Sequence, residues 1–229
     1  MRTDATQVLD LAHRLRSGTW DRAAVNGHST RARGPVNPHD YDAIIVHKNA
    51  DRWRLIQQMR GGSLPPTAGD EIMSLTNDSK AKVINGQPFK VLAQVGTATV
   101  PERLFHTKAG PRLREAYTYY VLDVESDGEA RRLYAHTLGF GGRENEKLVA
   151  AMEPRRHNKR LVIPATFGRV LTAHKAQGSE WDRVLVVVDL DDLERVTGAS
   201  KASQWLYTAV TRARRQVTIA DLGQVSGLG

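Results

Sequence analysis

Two short segments of the chain hold most of the side chains that could do chemistry. Residues 171–181 read Leu-Thr-Ala-His-Lys-Ala-Gln-Gly-Ser-Glu-Trp, and residues 206–214 read Leu-Tyr-Thr-Ala-Val-Thr-Arg-Ala-Arg. A hydroxyl next to cationic donors suits contact with phosphate groups. Glycine lets the backbone approach a ligand closely, and glutamate accepts hydrogen bonds from hydroxyls. An arginine adds a cation that stays charged and can bind two phosphate oxygens together.

Both segments resemble motifs of one enzyme family, the superfamily 1 DNA helicases of the RecD and Dda branch. The first resembles motif V, which it matches at Thr172, His174, Lys175, Gln177, Gly178 and Glu180. The second resembles motif VI, and residues 44–52 resemble motif IV. Residues 69–86 resemble the start of the SH3-like barrel that these helicases carry as an insertion. The chain is thus identified as similar to the C-terminal half of such a helicase, with a UvrD-like helicase C-terminal domain.

The resemblance implies catalytic roles for arginines. Arg212 corresponds to the arginine finger of motif VI, which would stabilise charge developing on the γ-phosphate during ATP hydrolysis. Arg52 is the corresponding candidate from motif IV, and Arg54 is an equally good candidate by position. A solvated arginine at the end of a basic helix is the plainer interpretation of Arg212, and the motif around it argues against that interpretation.

The remaining motif V residues divide by the ligand that the resemblance implies. Those expected to approach the phosphates and ribose of the nucleotide are Gln177, Gly178 and Glu180. Those expected to contact single-stranded DNA, or to couple it to the ATP cleft, are Thr172, His174 and Lys175. In the complete enzyme the resemblance implies 5′ to 3′ translocation on single-stranded DNA.

One essential part of a helicase is missing from the sequence. A P-loop requires Gly-Lys followed by Ser or Thr, and the chain contains no Gly-Lys dipeptide. We therefore expect ATP with Mg²⁺ to bind only together with a P-loop-containing N-terminal helicase domain, in another chain or a missing part of the gene. The chain alone is not expected to hydrolyse ATP.

Two other interpretations remain open. The chain could be a degenerate, catalytically inactive module that binds single-stranded DNA or acts as a scaffold, although such a module has no need of Arg212 or Glu180. It could also be a complete nucleotide hydrolase that holds Mg²⁺ with Asp189 and Asp191, after the apolar residues 184–188. The motif directly before that run favours a buried strand followed by an acidic loop.

Charge and composition narrow the class of partner and site. The chain has 33 Lys and Arg against 25 Asp and Glu, a net charge of +8 that favours a polyanionic partner. The densest basic run consists of Arg155, Arg156, His157, Lys159 and Arg160. A solvated loop is the favoured interpretation of this run, ahead of contact with phosphates.

The absence of cysteine excludes disulfides and cysteine zinc sites, and the scattered histidines predict no metal site. Without an apolar run that could span a bilayer or serve as a signal peptide, we expect a cytoplasmic protein with no membrane contact.

The elements that must position these residues follow from hydrophobic spacing. Val8, Leu9, Leu11 and Leu15 predict an amphipathic helix over residues 6–17. A turn-rich stretch covers 21–40, and a strand at 42–47 leads into a helix after Asn49. Short alternating segments predict strands between 65 and 164. The apolar run 184–188 predicts a buried parallel strand, followed by a helix over 201–213 and a strand at 216–220. Trp205 and Tyr207 of that helix could stack on a base, but helical spacing favours a core position for Trp205.

The pattern predicts an α/β fold, a parallel-sheet domain with an inserted small antiparallel β-barrel, and the resemblance implies that the domain is RecA-like and the barrel SH3-like. Residues 1–40 would form a connector helix and loop, 41–66 and 165–222 the second RecA-like helicase domain, and 67–164 the inserted module. The strand near His47 and the strand near Val170 should then belong to one sheet.

Overall fold

The computed structural model describes residues 2–17, 21–62, 65–107, 110–152, 154–157 and 160–226. The chain divides into two compact units. One unit combines Met1–Ser63 with Arg169–Gly229, and the other is Leu64–Gly168. Within the described ranges, no helix is both long and apolar enough to cross a membrane.

The helices and strands of the two units are numbered here in chain order. The helices are α1 (Arg2–Arg16), α2 (Arg22–Gly27), α3 (Asn49–Met59), α4 (Arg143–Ala150), α5 (Leu190–Thr197) and α6 (Ala199–Val210). The strands are β1 (Ala43–Val46), β2 (Glu71–Ser74), β3 (Pro88–Val100), β4 (Arg103–Thr107), β5 (Gly110–Arg114), β6 (Tyr117–Ser126), β7 (Glu129–His136), β8 (Arg155–His157), β9 (Arg160–Ile163), β10 (Ala165–Phe167), β11 (Val170–Thr172), β12 (Trp181–Val187) and β13 (Ala213–Ala220).

The first unit is built on a parallel sheet with the strand order β11-β1-β12-β13. Ile44 of β1 pairs with Val170 on one side and with Leu185 on the other, which confirms that β1 and β11 share a sheet. Residues 184–188 are buried throughout, as an apolar run without polar alternation predicts for a covered parallel strand. The sheet thus brings the segments before and after the second unit side by side.

Helices α1 and α6 pack against each other and against β13. Val8, Leu11 and Leu15 are buried on the predicted face of α1, and the buried Ser203 hydroxyl of α6 donates to the Leu15 carbonyl at 2.8 Å. Leu9 was expected on that face but is 59% exposed, because one residue step turns an α-helix by about 100°.

Two helices and one helix end in this unit differ from the sequence prediction. The turn-rich stretch contains α2, which Asp21 caps by accepting a hydrogen bond from the Ala24 amide. The expected acidic loop after β12 is α5, a helix. Helix α6 ends at Val210, three residues earlier than predicted, so Arg212 lies in the turn between α6 and β13.

The second unit is a seven-stranded sheet in the order β10-β2-β3-β6-β7-β9-β8, with β4 and β5 forming a separate hairpin. Asp127 and Gly128, both at positive φ, make the tight turn between β6 and β7. The sequence predicted an antiparallel module, but β7 and β9 pair in parallel, so the sheet is mixed. The reason is the connection through α4, because parallel neighbours need a crossover rather than a hairpin.

Candidate functional site

A groove of about 450 Å³ opens in the first unit at the carboxyl ends of β1 and β11. Thr172 is the last residue of β11, and His47 directly follows β1. Open parallel sheets of α/β proteins bind ligands at this edge. Helix α6 supplies one wall of the groove through Lys201, Gln204 and Trp205.

The turn after β11 explains which motif V side chains reach the groove. Ala173 and Ala176 are buried, and the Ala176 amide donates to the Thr172 carbonyl at 3.0 Å. This winding leaves Thr172, His174 and Gln177 on the groove side, where all three line it. The structure therefore brings together two of the residues expected to contact DNA and one expected to contact the nucleotide.

The other motif V residues lie beside this groove lining on the same segment. Lys175 is partly buried, whereas Gly178 and Glu180 are exposed. Gly178 has φ of +84°, a conformation that side chains strain to adopt, and a Cβ built there would meet no atom within 4 Å. The backbone at Gly178 is thus open to a ligand.

Arg212 joins the two motif segments through its guanidinium. Its Nη1 donates to the Ser179 carbonyl at 3.3 Å, and its Nε donates to the Thr208 carbonyl at 3.1 Å. Its Nη2 donates to the Thr211 hydroxyl at 3.2 Å. These bonds use three of the five N–H groups of a guanidinium, so one on each terminal nitrogen remains to bind a phosphate oxygen.

Arg52 and Arg54 lie in different environments on α3. Arg52 is fully buried, and its Nε donates to the Val170 carbonyl at 2.7 Å, which holds β11 against the helix. Arg54 is exposed. Arg52 therefore acts inside the sheet domain, whereas Arg54, the equally good candidate from the sequence, is open to solvent. Contact of either arginine with a nucleotide stays a prediction.

The acidic residues after β12 are engaged in helix capping and ion pairs. The Asp189 carboxylate accepts from the amides of Asp191 and Asp192, both at 2.9 Å, and so caps α5. Asp191 pairs with Arg22. Asp192 pairs with Lys48, whose hydrogen bond lowers the pKa of that carboxyl. Among the described residues no cluster of three or more histidine and carboxylate side chains could hold a metal ion.

Two aromatic rings, those of His47 and Trp205, line the groove. The sequence favoured a core position for Trp205 over base stacking, but Trp205 is only partly buried. The sequence prediction did not include His47. The His47 ring meets it edge to face, with 5.3 Å between ring centroids and 74° between planes. Burial, with a smaller contribution from Lys48, lowers the pKa of His47 below 6.5. The available signal was the spacing of Lys201, Trp205 and Thr208, which places them on one helix face.

The basic run was expected in a solvated loop, but Arg155–His157 forms β8 and Arg160 begins β9, and the two strands pair antiparallel. Lys159 and the side chains of Arg155, Arg156 and His157 are not among the described groups. Arg160 is described, and its guanidinium lies over the Tyr134 ring at 5.3 Å from the centroid. Phosphate contact by this run was the less favoured alternative from the sequence, and nothing in these contacts tests it.

Comparison with known proteins gives a family match over part of the chain. The model of the UvrD-like helicase C-terminal domain matches residues 167–220, which span β11, the groove turn, β12, α6 and β13. No curated protein matches the chain. Arg212 and all the predicted motif V residues lie inside the matched range.

Solved structures extend the comparison to the rest of the fold. A Pif1 helicase from Bacteroides, in complex with ADP-AlF3 and single-stranded DNA, aligns with a TM-score of 0.51 at 16% identity over 97% of this chain and 50% of that chain. A structure concerning unwinding of forked double-stranded DNA by two coordinating Pif1 helicases aligns with a TM-score of 0.54 at 13% identity, over 96% of this chain and 49% of that chain.

The chain is similar in fold to about half of each of these Pif1 helicase chains, and its residues 167–220 match the UvrD-like helicase C-terminal domain. It spans about half the length of the two Pif1 helicase chains. At this level of identity the likeness concerns the fold alone, and the chemistry of the groove follows from its own residues.

Proposed function

We propose that this chain is the C-terminal RecA-like half of an ATP-dependent 5′ to 3′ DNA helicase of the RecD and Dda-like branch, lacking the P-loop. The observation that carries the proposal is the bond between Arg212 and the Ser179 carbonyl, because it places the arginine beside the open backbone of Gly178. Both residues lie within the range that matches the helicase domain model.

ATP hydrolysis would need groups from both halves of the helicase. This chain supplies Arg212 to bind γ-phosphate oxygens as negative charge develops, and the Gly178 backbone with Gln177 and Glu180 to contact phosphates and ribose. Because the Asp189 carboxylate caps α5, the proposal assigns it no Mg²⁺. The P-loop domain would bind Mg²⁺ and hold the β- and γ-phosphates. Whichever of Arg52 and Arg54 faces the nucleotide would add a second cation.

Single-stranded DNA would lie in the groove at the carboxyl ends of β1 and β11. Thr172 and His174 line it, Lys175 belongs to the same turn, and none of the described residues that line it carries a carboxylate. Such a surface favours a polyanion and positions the backbone without reading sequence.

The proposal assigns the two units of the chain as follows. Residues 41–66 and 165–222 form the second RecA-like domain, residues 1–40 are its connector, and residues 67–164 are an inserted SH3-like barrel. Support comes from the division of the chain, in which Leu64–Gly168 is one continuous unit between two parts of the other.

Reconstitution tests the proposal. The purified 229-residue chain should show no ATPase activity with or without single-stranded DNA, and a P-loop-bearing N-terminal helicase domain should restore DNA-stimulated turnover. DNA-stimulated hydrolysis by the chain alone would contradict the split motor. Binding of single strands without activity in any reconstituted pair would favour the inactive DNA-binding module instead.

A further inference from the structure

We propose that Trp205 is a stacking platform for one base of the single strand, so that the groove binds a base as well as the phosphate backbone. This inference rests on the proposed function for the identity of the strand as single-stranded DNA. It goes beyond that function by assigning a base-binding residue on α6, outside the motif V turn.

The position of the indole supports a ligand-facing role. Trp205 is partly exposed in the groove, whereas Trp53 of the same unit is 5% exposed and packs in the core. The His47 and Trp205 rings meet edge to face, which restrains the indole orientation while Trp205 stays partly exposed in the groove. An aromatic ring held in this way loses little side-chain freedom when a base stacks on it.

The polar groups around the indole match the rest of a nucleotide. Lys201 precedes Trp205 by one turn of α6 and offers a cation for a phosphate. Gln204 and Asn49 offer amide groups that can both donate and accept hydrogen bonds. Because the described groove lining has no carboxylate, a nucleotide meets no like charge there.

Stacking predicts a specific kind of binding. Every base has a π-face, so a tryptophan platform gains affinity from any base and confers little sequence preference. The gain disappears when the base is removed and the phosphate backbone is kept. A tryptophan that only supports the fold of α6 would act equally on strands with and without bases.

The experiment compares binding of a fluorescent oligothymidine with binding of an equally long abasic strand, by fluorescence anisotropy with the full chain. Trp205→Leu should weaken oligothymidine binding by at least about fivefold, which corresponds to about 1 kcal/mol. Trp205→Phe should lose less because it keeps an aromatic face. Wild type and Trp205→Leu should bind the abasic strand equally well.

Trp181→Phe is the matched control, because Trp181 is a partly buried tryptophan of the same unit at the start of β12. It should leave both affinities unchanged. Equal losses by Trp205→Leu on both strands, or no loss on either, would overturn the stacking platform while leaving the DNA track in place. Failure of the wild-type chain to bind either strand would overturn the DNA track as well. Thermal unfolding of each variant checks the fold, and Trp205→Phe keeps the test decisive if the leucine variant unfolds.

Discussion

The guanidinium of Arg212 donates to the carbonyl oxygen of Ser179 at 3.3 Å and so ties the turn after α6 to the loop after the groove. In return, the Trp181 amide donates to the Arg212 carbonyl at 2.9 Å. Any movement of the turn would therefore move Gly178 and the groove segment with it. This linkage couples the proposed nucleotide contact to the proposed DNA contact within one unit.

Substitution of Arg212 should abolish turnover in a reconstituted helicase. Arg212→Ala is expected to lower the ATPase rate by a factor of order 10³ to 10⁵, because alanine cannot supply the positive charge that the guanidinium brings to the γ-phosphate. The matched control is Arg214→Ala, which removes an exposed arginine paired with Asp182 at 2.9 Å and should keep the rate. A residual rate above about a tenth of wild type in Arg212→Ala would refute the arginine finger.

Substitutions of Arg52 and Arg54 should have different effects on the free energy of unfolding. Arg52→Met leaves the buried Val170 carbonyl without its 2.7 Å donor and should lower the free energy of unfolding by about 1–3 kcal/mol, measured by urea denaturation. Arg54→Ala should stay within about 0.5 kcal/mol of wild type, as exposed substitutions do.

The same two variants test the motif IV role in the reconstituted helicase. A fall in ATPase rate for Arg54→Ala, at unchanged stability, would assign the nucleotide contact to Arg54. A wild-type rate for Arg54→Ala combined with a lost rate in a folded Arg52→Met protein would assign it to Arg52.

Asp189 offers a test of the rival magnesium site. Asp189→Asn keeps a side-chain oxygen that can cap α5 and should keep both stability and reconstituted ATPase rate. Asp189→Ala should lower the free energy of unfolding by about 1 kcal/mol through loss of the cap. Loss of activity in a stable Asp189→Asn protein would instead support a carboxylate that binds Mg²⁺.

Binding of single strands should depend strongly on salt and little on sequence. The net charge of +8 and a groove whose described lining carries no carboxylate predict that binding releases counterions, so affinity falls steeply as salt rises. Anisotropy titrations of mixed-sequence strands at several salt concentrations measure this. Sequence-selective duplex binding that salt leaves unaffected would contradict it.

His47 should make folding stability fall on mild acidification. Its pKa lies below 6.5 in the folded protein, chiefly because of burial and then Lys48, while Asp192 and Asp51 oppose the shift. As pH falls below about 6.5, the unfolded chain takes up a proton that the folded chain resists, so stability is present above this range and is lost below it.

Urea unfolding at about pH 7.5 and about pH 5.5 measures this effect. His47→Gln should lose less stability than wild type between the two conditions, and the difference should be modest because His47 is only partly buried. Gln204→Ala, which changes a groove side chain that does not titrate, is the control and should follow wild type. An unchanged pH dependence in His47→Gln would contradict the prediction.

Local patterns in the sequence were sufficient to predict the strands and helices that carry the site. The unbroken apolar run 184–188 predicts a buried parallel strand, and the spacing predicts the buried face of α1 correctly at Val8, Leu11 and Leu15 but not at Leu9. Both predictions succeed because burial requires apolar residues at a local spacing. A strand covered on both faces needs them at consecutive positions, and one helix face needs them every three or four positions. The motif residues could likewise be chosen from order and spacing, and their roles remain proposals.

Only the tertiary structure decided what surrounds those residues. Burial of Arg52 depends on Val170, 118 positions away, and the groove forms where Thr172 meets residues of α6 and the end of β1. Trp205 has the helical spacing of a core residue but faces the groove, since spacing shows which side chains share a face and not what that face meets. The parallel pairing of β7 with β9 is hidden for the same reason, because strand partners are chosen by long-range packing rather than by local pattern.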